Sequence, residues 1–309
     1  MNLHLNPLEN KIVGMIKFKV ESPIHIGNGG TEARRTFLRV DDNLIIPSST
    51  WKGVFRSLSE KIAKSMNFGY LPSLAIKSYR EGKGGIEYKP ADEAGMRELK
   101  KLEEELKEVF KGVKSEAFGL SKGDVDGLID ELGFSDVRRL LEKGEEEAWE
   151  RFTEAILAIN CLIGKLYGNR YLAAKVRFLD TFIVRPRVHE RPGISIERKS
   201  GKVREDALFF TEVYVGENIE VTFIADNLKA GSDDSRVFAS TLNYVKELGI
   251  HVGGSVSRGL GYLKFKDAKF HVVDLKEGRY EDRILRLVRP FKYVAPMDID
   301  WFTEWLINP

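Results

Sequence analysis

The sequence predicts an α+β protein. Three observations carry this reading: alternating apolar and polar strand patterns near both ends of the chain, an amphipathic helix set among each group of strands, and a helical block over residues 91–164 between them. In IVGMIKFKV (12–20), Ile12, Ile16, Phe18 and Val20 share one face of a strand. SPIHIGNGG (22–30) then reads as a strand end running into a glycine turn, and RTFLRV (35–40) with NLIIP (43–47) as a short hairpin across Asp41 and Asp42.

SSTWKGVFRSLSEKIAKS (48–65) starts a helix, because Ser48, Ser49 and Thr50 are all competent N-caps. Val54, Leu58 and Ile62 form an apolar row on it, with Trp51 and Phe55 beside them. Residues 66–90 read as loop. In the helical block, EAGMRELKKLEEELKEVF (93–110) is laced with i,i+4 charge pairs, which favour a solvated helix. Strand patterns return with KVRFLDTFIV (175–184), ALFFTEVYV (207–215) and NIEVTFIAD (218–226), and residues 185–206 between the first two form a basic stretch broken by Pro and Gly. A helix over 234–248 leads into the glycine-rich segment GGSVSRGLGYLKF (253–265) and a long strand over 261–275. Strand, helix, glycine loop and strand in the second half, against strand, glycine turn, hairpin and helix in the first, fit a ferredoxin-like arrangement in one copy or two.

With 309 residues, 42% hydrophobic and 31% charged, the chain has a globular composition and room for a large core or two domains. No apolar run approaches the ~20 residues of a membrane helix. The first residues lack a signal-peptide layout, so the cytoplasm is the expected location. A single cysteine, Cys161, excludes an internal disulfide framework. The net charge of +2 hides two opposed segments. Residues 91–150 carry 18 Asp/Glu against 10 Lys/Arg, a net of −8, and residues 165–204 carry 11 Lys/Arg against 3 Asp/Glu, a net of +8. A basic stretch of that density meets phosphate or another anionic partner, or it is a solvated surface balanced by the acidic segment.

No enzyme motif stands out: there is no phosphate-binding loop, no His-Glu-x-x-His and no serine elbow. The five histidines, His25 and His189 among them, lie far apart. The glycines of 253–261 follow a helix and precede a strand, the wrong order for a dinucleotide fingerprint. Lys52 and Arg56, one turn apart near the positive end of a helix dipole, are either solvated cations or half of an anion site. Phe and Tyr occur mainly at strand spacing and read as core, not as a stacking platform.

Five elements, HIGNGG (25–30), IIPSSTWKGVFRSL (45–58), GKLYGNRYLAAKVRFLDTFIV (164–184), ISIERKSGKVREDALFFTEVYVGENIEVTF (194–223) and GGSVSRGLGYLKF (253–265), occur in the order found in the repeat-associated mysterious protein (RAMP) superfamily. The chain most resembles the backbone subunits of type III CRISPR effector complexes, with the subunit that caps the guide's 3′ side as the alternative place in the filament. The resemblance implies a modified ferredoxin-like (RRM-like) core, here over 1–90 and 165–309, with a glycine-rich loop and a thumb-like β-hairpin around 185–206; the helical block at 91–164 reads as an insertion, and the resemblance does not cover its helices at 91–150. The insertion either contacts neighbouring effector subunits or is a solvated addition.

The implied partners are CRISPR RNA, target RNA and other effector subunits, with no membrane. IPSSTWKG matches the family's helix start, with Ser48 in place of a glycine, so Ser49, Lys52 and Arg56 are expected to face guide phosphates. The same resemblance places RNA contacts at His25, Gly29, Arg34 and Arg35, at Arg187, Arg191, Arg198, Lys199 and Lys202 along the thumb, and at Gly254, Ser257, Arg258 and Gly259 in the glycine loop.

Target-cleaving members carry an aspartate in the loop before this helix, where TEARRTFLRV (31–40) offers Arg34 or Arg35 instead. Asp41 and Asp42 come later, where Asp is a good turn residue. The expectation is therefore a non-cleaving subunit with no cofactor. Its alternatives are an endoribonuclease using Asp41 or Asp42 with Mg²⁺, or a guide-processing nuclease using His25 or His189.

Overall fold

The computed structural model describes residues 7–27, 34–66, 76–80, 86–90, 93–117, 120–131, 135–169, 171–197, 199 and 202–308. The fold is mixed α+β with antiparallel sheets. It divides into two compact units, one of Glu9–Ile62 with Val176–Pro309 and one of Met1–Leu8 with Ala63–Lys175.

The first unit opens with β1 (Asn10–Val20), β2 (Arg34–Arg35), β3 (Arg39–Val40), β4 (Asn43–Ile46) and α1 (Ser48–Ser65). It resumes with β5 (Val176–Phe178), β6 (Thr181–Ile183), β7 (Val188–Ile196), β8 (Val203–Tyr214), β9 (Asn218–Asp226) and α2 (Asp233–Leu248). It ends with β10 (Ile250–His251), β11 (Tyr262–Asp274), α3 (Tyr280–Val288), α4 (Pro290–Tyr293) and α5 (Ile299–Ile307). Five strands make its main sheet in the order β10-β11-β1-β9-β5, with every neighbouring pair antiparallel. The path β1-α1-β5-β9-α2-β11 is a β-α-β-β-α-β run compatible with a ferredoxin-like arrangement. Both halves of the sequence enter this one sheet, and no second sheet of that order occurs among the described residues.

The core lies between this sheet and its helices. Ile12, Ile16 and Phe18 are fully buried on β1, as the alternation requires. On α1 the buried row is Trp51, Phe55 and Ser59. Trp51 stacks on Phe18 at 6.2 Å between ring centroids and Phe55 meets Phe178 at 4.8 Å. Val54, Leu58 and Ile62, the row expected inside, are half-buried on the flank. The larger rings win the centre because each removes more apolar surface from water, ~150–250 Å² apiece. The hydroxyls of Ser59 and Thr241 join α1 to α2 at 2.7 Å. The C-terminal helix α5, not foreseen in the sequence, stacks Phe302 on Phe270 of β11 at 4.2 Å.

Two local expectations change. The run 175–184 is two strands in different sheets, because the chain crosses at Leu179 and Asp180: β5 joins the main sheet, and β6 joins a small sheet of order β6-β4-β3. α1 is not capped by its own hydroxyls either. Ser48 already lies within the helix, and its backbone N–H donates to the Asp180 carboxylate at 2.6 Å. The basic stretch after 185 forms the hairpin β7–β8, antiparallel from Val188↔Tyr214 to Ile196↔Val203, with β2 alongside β8 in parallel.

In the second unit, Ile76–Arg80 pairs with Ile86–Pro90, so part of the expected loop 66–90 is a hairpin. Its helices span Glu93–Phe110, Lys122–Glu131, Ser135–Glu142, Glu146–Asn160 and Leu162–Tyr167. The charge-laced first helix buries Leu102, Leu106 and Val109 and meets Trp149 through Phe110 at 5.5 Å. Its ion pair between Glu103 and Lys107 borders the packed face, with the Lys107 ammonium 5.6 Å from the Trp149 ring centroid, so the helix is not fully solvated.

Candidate nucleic-acid interface

The glycine segment forms a tight loop pressed against residues 23–26. Gly254 N–H donates to the His25 carbonyl at 2.9 Å, and Gly261 N–H to the Pro23 carbonyl at 2.8 Å. Gly253 and Gly261 take positive φ values of 89° and 81°. A Cβ at Gly253 would lie 2.2 Å from the His25 carbonyl oxygen, and one at Gly261 would lie 2.1 Å from that of Val252. These two glycines are required by the chain's own backbone. Gly254 differs: it has an ordinary φ and is exposed, and its nearest neighbour for a Cβ is the His25 ring at 3.6 Å.

The loop is a wall shared by two concavities. Gly253, Gly254 and Val256 line a groove of about 700 Å³ with Ser49, Thr50, Gly53, Ser57 and Lys61 of α1 and with Tyr244 and His251. No Asp or Glu is among its described lining residues, while hydroxyls and backbone are plentiful. On the other side, Ser255, Arg258 and Leu260 line a pocket of about 300 Å³ with Arg191, Gly193, Phe209 and Thr211 of the hairpin. The Arg35 guanidinium carbon sits 4.9 Å, and that of Arg258 5.5 Å, from the Phe209 ring centroid.

Glu212 of β8 ties these parts together. Its carboxylate accepts from Phe37 N–H and from the Arg39 guanidinium, both at 2.8 Å, and its backbone oxygen lies 2.7 Å from His25 Nδ1. Burial pushes the Glu212 carboxyl up, but the Arg39 guanidinium and the Phe37 N–H outweigh it, and the group titrates below the ordinary glutamate value.

The structure thus brings Ser49 and Gly254 to one groove, and Arg191, Arg258 and the neighbouring Arg35 to one pocket. Lys52 and Arg56 lie on the flank of α1 turned away from the groove. There Arg56 pairs with Glu60 at 3.1 Å, and burial, followed by repulsion from Arg56, holds the Lys52 ammonium below its ordinary value. Arg34 is paired with Glu190, and His25 is only 6% exposed. Arg187, Lys199, Lys202, Ser257 and Gly259 are exposed. Asp41 and Asp42 form the tip of the β3–β4 hairpin, Asp41 at φ 51°. Gly29 and Arg198 lie outside the described residues.

Sequence reasoning missed Asp180, Glu212, Ser255 and Phe209. Phe209 carried a faint signal, since it stands opposite Gly193 across the hairpin, but that pairing becomes visible only when the register is known.

The RAMP superfamily model matches residues 17–264, which span both the sheet and the glycine loop. The chain belongs to the RAMP superfamily, and its role at family level is CRISPR-associated RNA binding. Compared with curated proteins, the chain finds no significant match. No described helix is long and apolar enough to cross a membrane.

Proposed function

We propose that this protein is a non-cleaving, RNA-binding subunit of a type III CRISPR effector complex, acting in the cytoplasm in antiviral defence. It holds the CRISPR RNA backbone, helps position target RNA and assembles with other effector subunits. The β1-α1-β5-β9-α2-β11 unit serves as its modified ferredoxin-like, RRM-like core, and β7–β8 as its thumb.

The observation that carries this reading is the groove where the glycine loop meets α1. Beside apolar side chains such as Val54, Leu58 and Val256, its described lining offers hydroxyls, main chain and Lys61 with no carboxylate. Such a surface suits a phosphodiester backbone, which is recognised without regard to sequence by Ser, Thr, Lys and backbone N–H groups. Asp180 already occupies the first N–H of α1, so the groove's contribution from that helix comes from side chains such as Ser49 more than from the helix terminus.

Gly254→Asp tests it. The site has room for a side chain, so the fold stays, and a carboxylate in the groove repels phosphate. CRISPR RNA binding measured at fixed salt is expected to weaken at least about tenfold, equal to ~1.4 kcal/mol, with an unchanged melting temperature. Unchanged affinity would remove the groove from the RNA path.

A further inference from the structure

We infer that the pocket at the foot of the β7–β8 hairpin is a stacking subsite for one RNA nucleotide, built on Phe209 and the Arg35 and Arg258 guanidiniums. It deepens, and rests on, the reading of this protein as an RNA binder.

The structural role of Phe209 is plain. It faces Gly193 directly across the hairpin, and a Cβ on Gly193 would fall 2.3 Å from the ring, so the aromatic covers the glycine. That role calls for no cations, yet two guanidiniums lie within 5.5 Å of the ring centroid and Arg191 lines the same pocket. Among the described carboxylates of these strands, Glu190 is held by Arg34 and Glu212 by Arg39. Arg35, Arg191 and Arg258 have no carboxylate partner among the described residues. Three guanidiniums around one small concavity repel each other until an anion joins them.

Ser255 adds an independent observation. It is a non-glycine residue at φ 58° on the rim of this pocket, and its hydroxyl makes no cap bond. Left-handed backbone at a serine is a strained choice that tends to mark ligand sites. At about 300 Å³ the pocket is at the small end of ligand sites, which span roughly 300–1,000 Å³. A ligand that satisfies a flat half-buried ring, stacked guanidiniums and an anion requirement together is a nucleotide, with its base on the aromatic–guanidinium stack and its phosphate on the arginines.

The test uses single-stranded CRISPR RNA carrying 2-aminopurine at successive positions, bound to the full-length protein. One position is expected to be quenched by stacking, and Phe209→Leu to restore its fluorescence. The same variant should weaken binding about tenfold without changing the dependence on salt, because no charge is removed. Arg35→Gln and Arg258→Gln should lower both affinity and salt dependence. An abasic site at the quenched position should weaken wild-type binding as Phe209→Leu does. Should Phe209→Leu melt early, 4-thiouridine crosslinking of the wild type decides: a crosslink to Phe209 supports the subsite, and crosslinks confined to other segments overturn it. Full quenching and affinity in a stable Phe209→Leu variant, or abasic RNA bound as tightly as intact RNA, overturns the stacking subsite alone. A wild-type protein that binds no RNA overturns the RNA-binding reading and the subsite with it.

Discussion

The two sides of the glycine loop work by different means. On one side, Gly253 and Gly254 face a groove of hydroxyls and main chain without a described carboxylate; on the other, Ser255 and Arg258 face a pocket of guanidiniums around an aromatic ring. Residues two apart in a ten-residue loop therefore serve separate surfaces. Recognition of a backbone mainly by neutral donors, with Lys61 the one ammonium in the groove's described lining, depends on salt less than recognition by several guanidiniums, each of which releases counterions. One short segment can then grip the same strand by both modes.

The largest expected effect breaks the loop itself. Gly253→Ala or Gly261→Ala combines a left-handed backbone, costing ~1–2 kcal/mol, with overlap on a backbone carbonyl, costing ~1–3 kcal/mol more, so urea denaturation should show a loss of about 2–5 kcal/mol. Gly254→Ala, with ordinary φ and open space, should stay within about 0.5 kcal/mol of wild type. Equal losses at Gly253 and Gly254 would mean that the loop does not divide its residues in this way.

Next comes the contrast in salt dependence. Replacing Arg35 and Arg258 together by Gln removes charge-assisted contacts worth ~1.5–3 kcal/mol each and should flatten the logarithmic salt slope of RNA binding by ~0.7 per lost phosphate contact. Ser49→Ala should weaken binding by about 0.5–1.5 kcal/mol at every salt concentration and leave the slope unchanged. A slope change in Ser49→Ala, or none in the double variant, would erase the distinction between the two surfaces.

Much of the loop was legible in the sequence, and its surroundings were not. The surplus of glycine at 253–261 announced close approach, and strand alternation on β1, β9 and β11 announced the sheet. What approaches Gly253 and Gly261 proved to be the chain's own carbonyls: at Gly253 that of His25, more than two hundred positions away, and at Gly261 that of Val252, nearby in the same loop. The Lys52 and Arg56 pair looked like an anion site because charge near a helix start is a local signal. The structure turns both away from the groove, since the rings of Trp51 and Phe55 set the rotation of α1. Arg35 reaches Phe209 through the parallel pairing of β2 with β8, Arg258 reaches it from the glycine loop, and no local pattern encodes either approach.

Glu212 sharpens the comparison through pH. Its carboxylate holds Phe37 and Arg39 beneath the loop, and its titration is depressed from the ordinary 4.5. A depressed carboxyl contributes stability in full above 4.5 that fades as pH falls through its folded value. Glu212→Gln should cost about 1–2 kcal/mol at neutral pH, with the difference from wild type narrowing below 4.5. A difference constant down to strongly acid pH would assign the loss to packing instead of charge.

The smallest effect is expected away from both surfaces, at Asp41 and Asp42, and it bears on the alternative of target cleavage. Asp41 is at φ 51° in a two-residue hairpin turn, a position that Asn and Gly also accept. Asp41→Asn with Asp42→Gly therefore keeps the turn, and stability should move by no more than about 0.5 kcal/mol. RNA affinity should be unchanged. Because fold and binding survive, any loss in this variant is chemical. The assembled effector complex, given labelled target RNA and Mg²⁺, should behave the same with either protein. Regularly spaced cuts that vanish with the variant would make these carboxylates catalytic and turn the protein from one that holds RNA into one that cuts it.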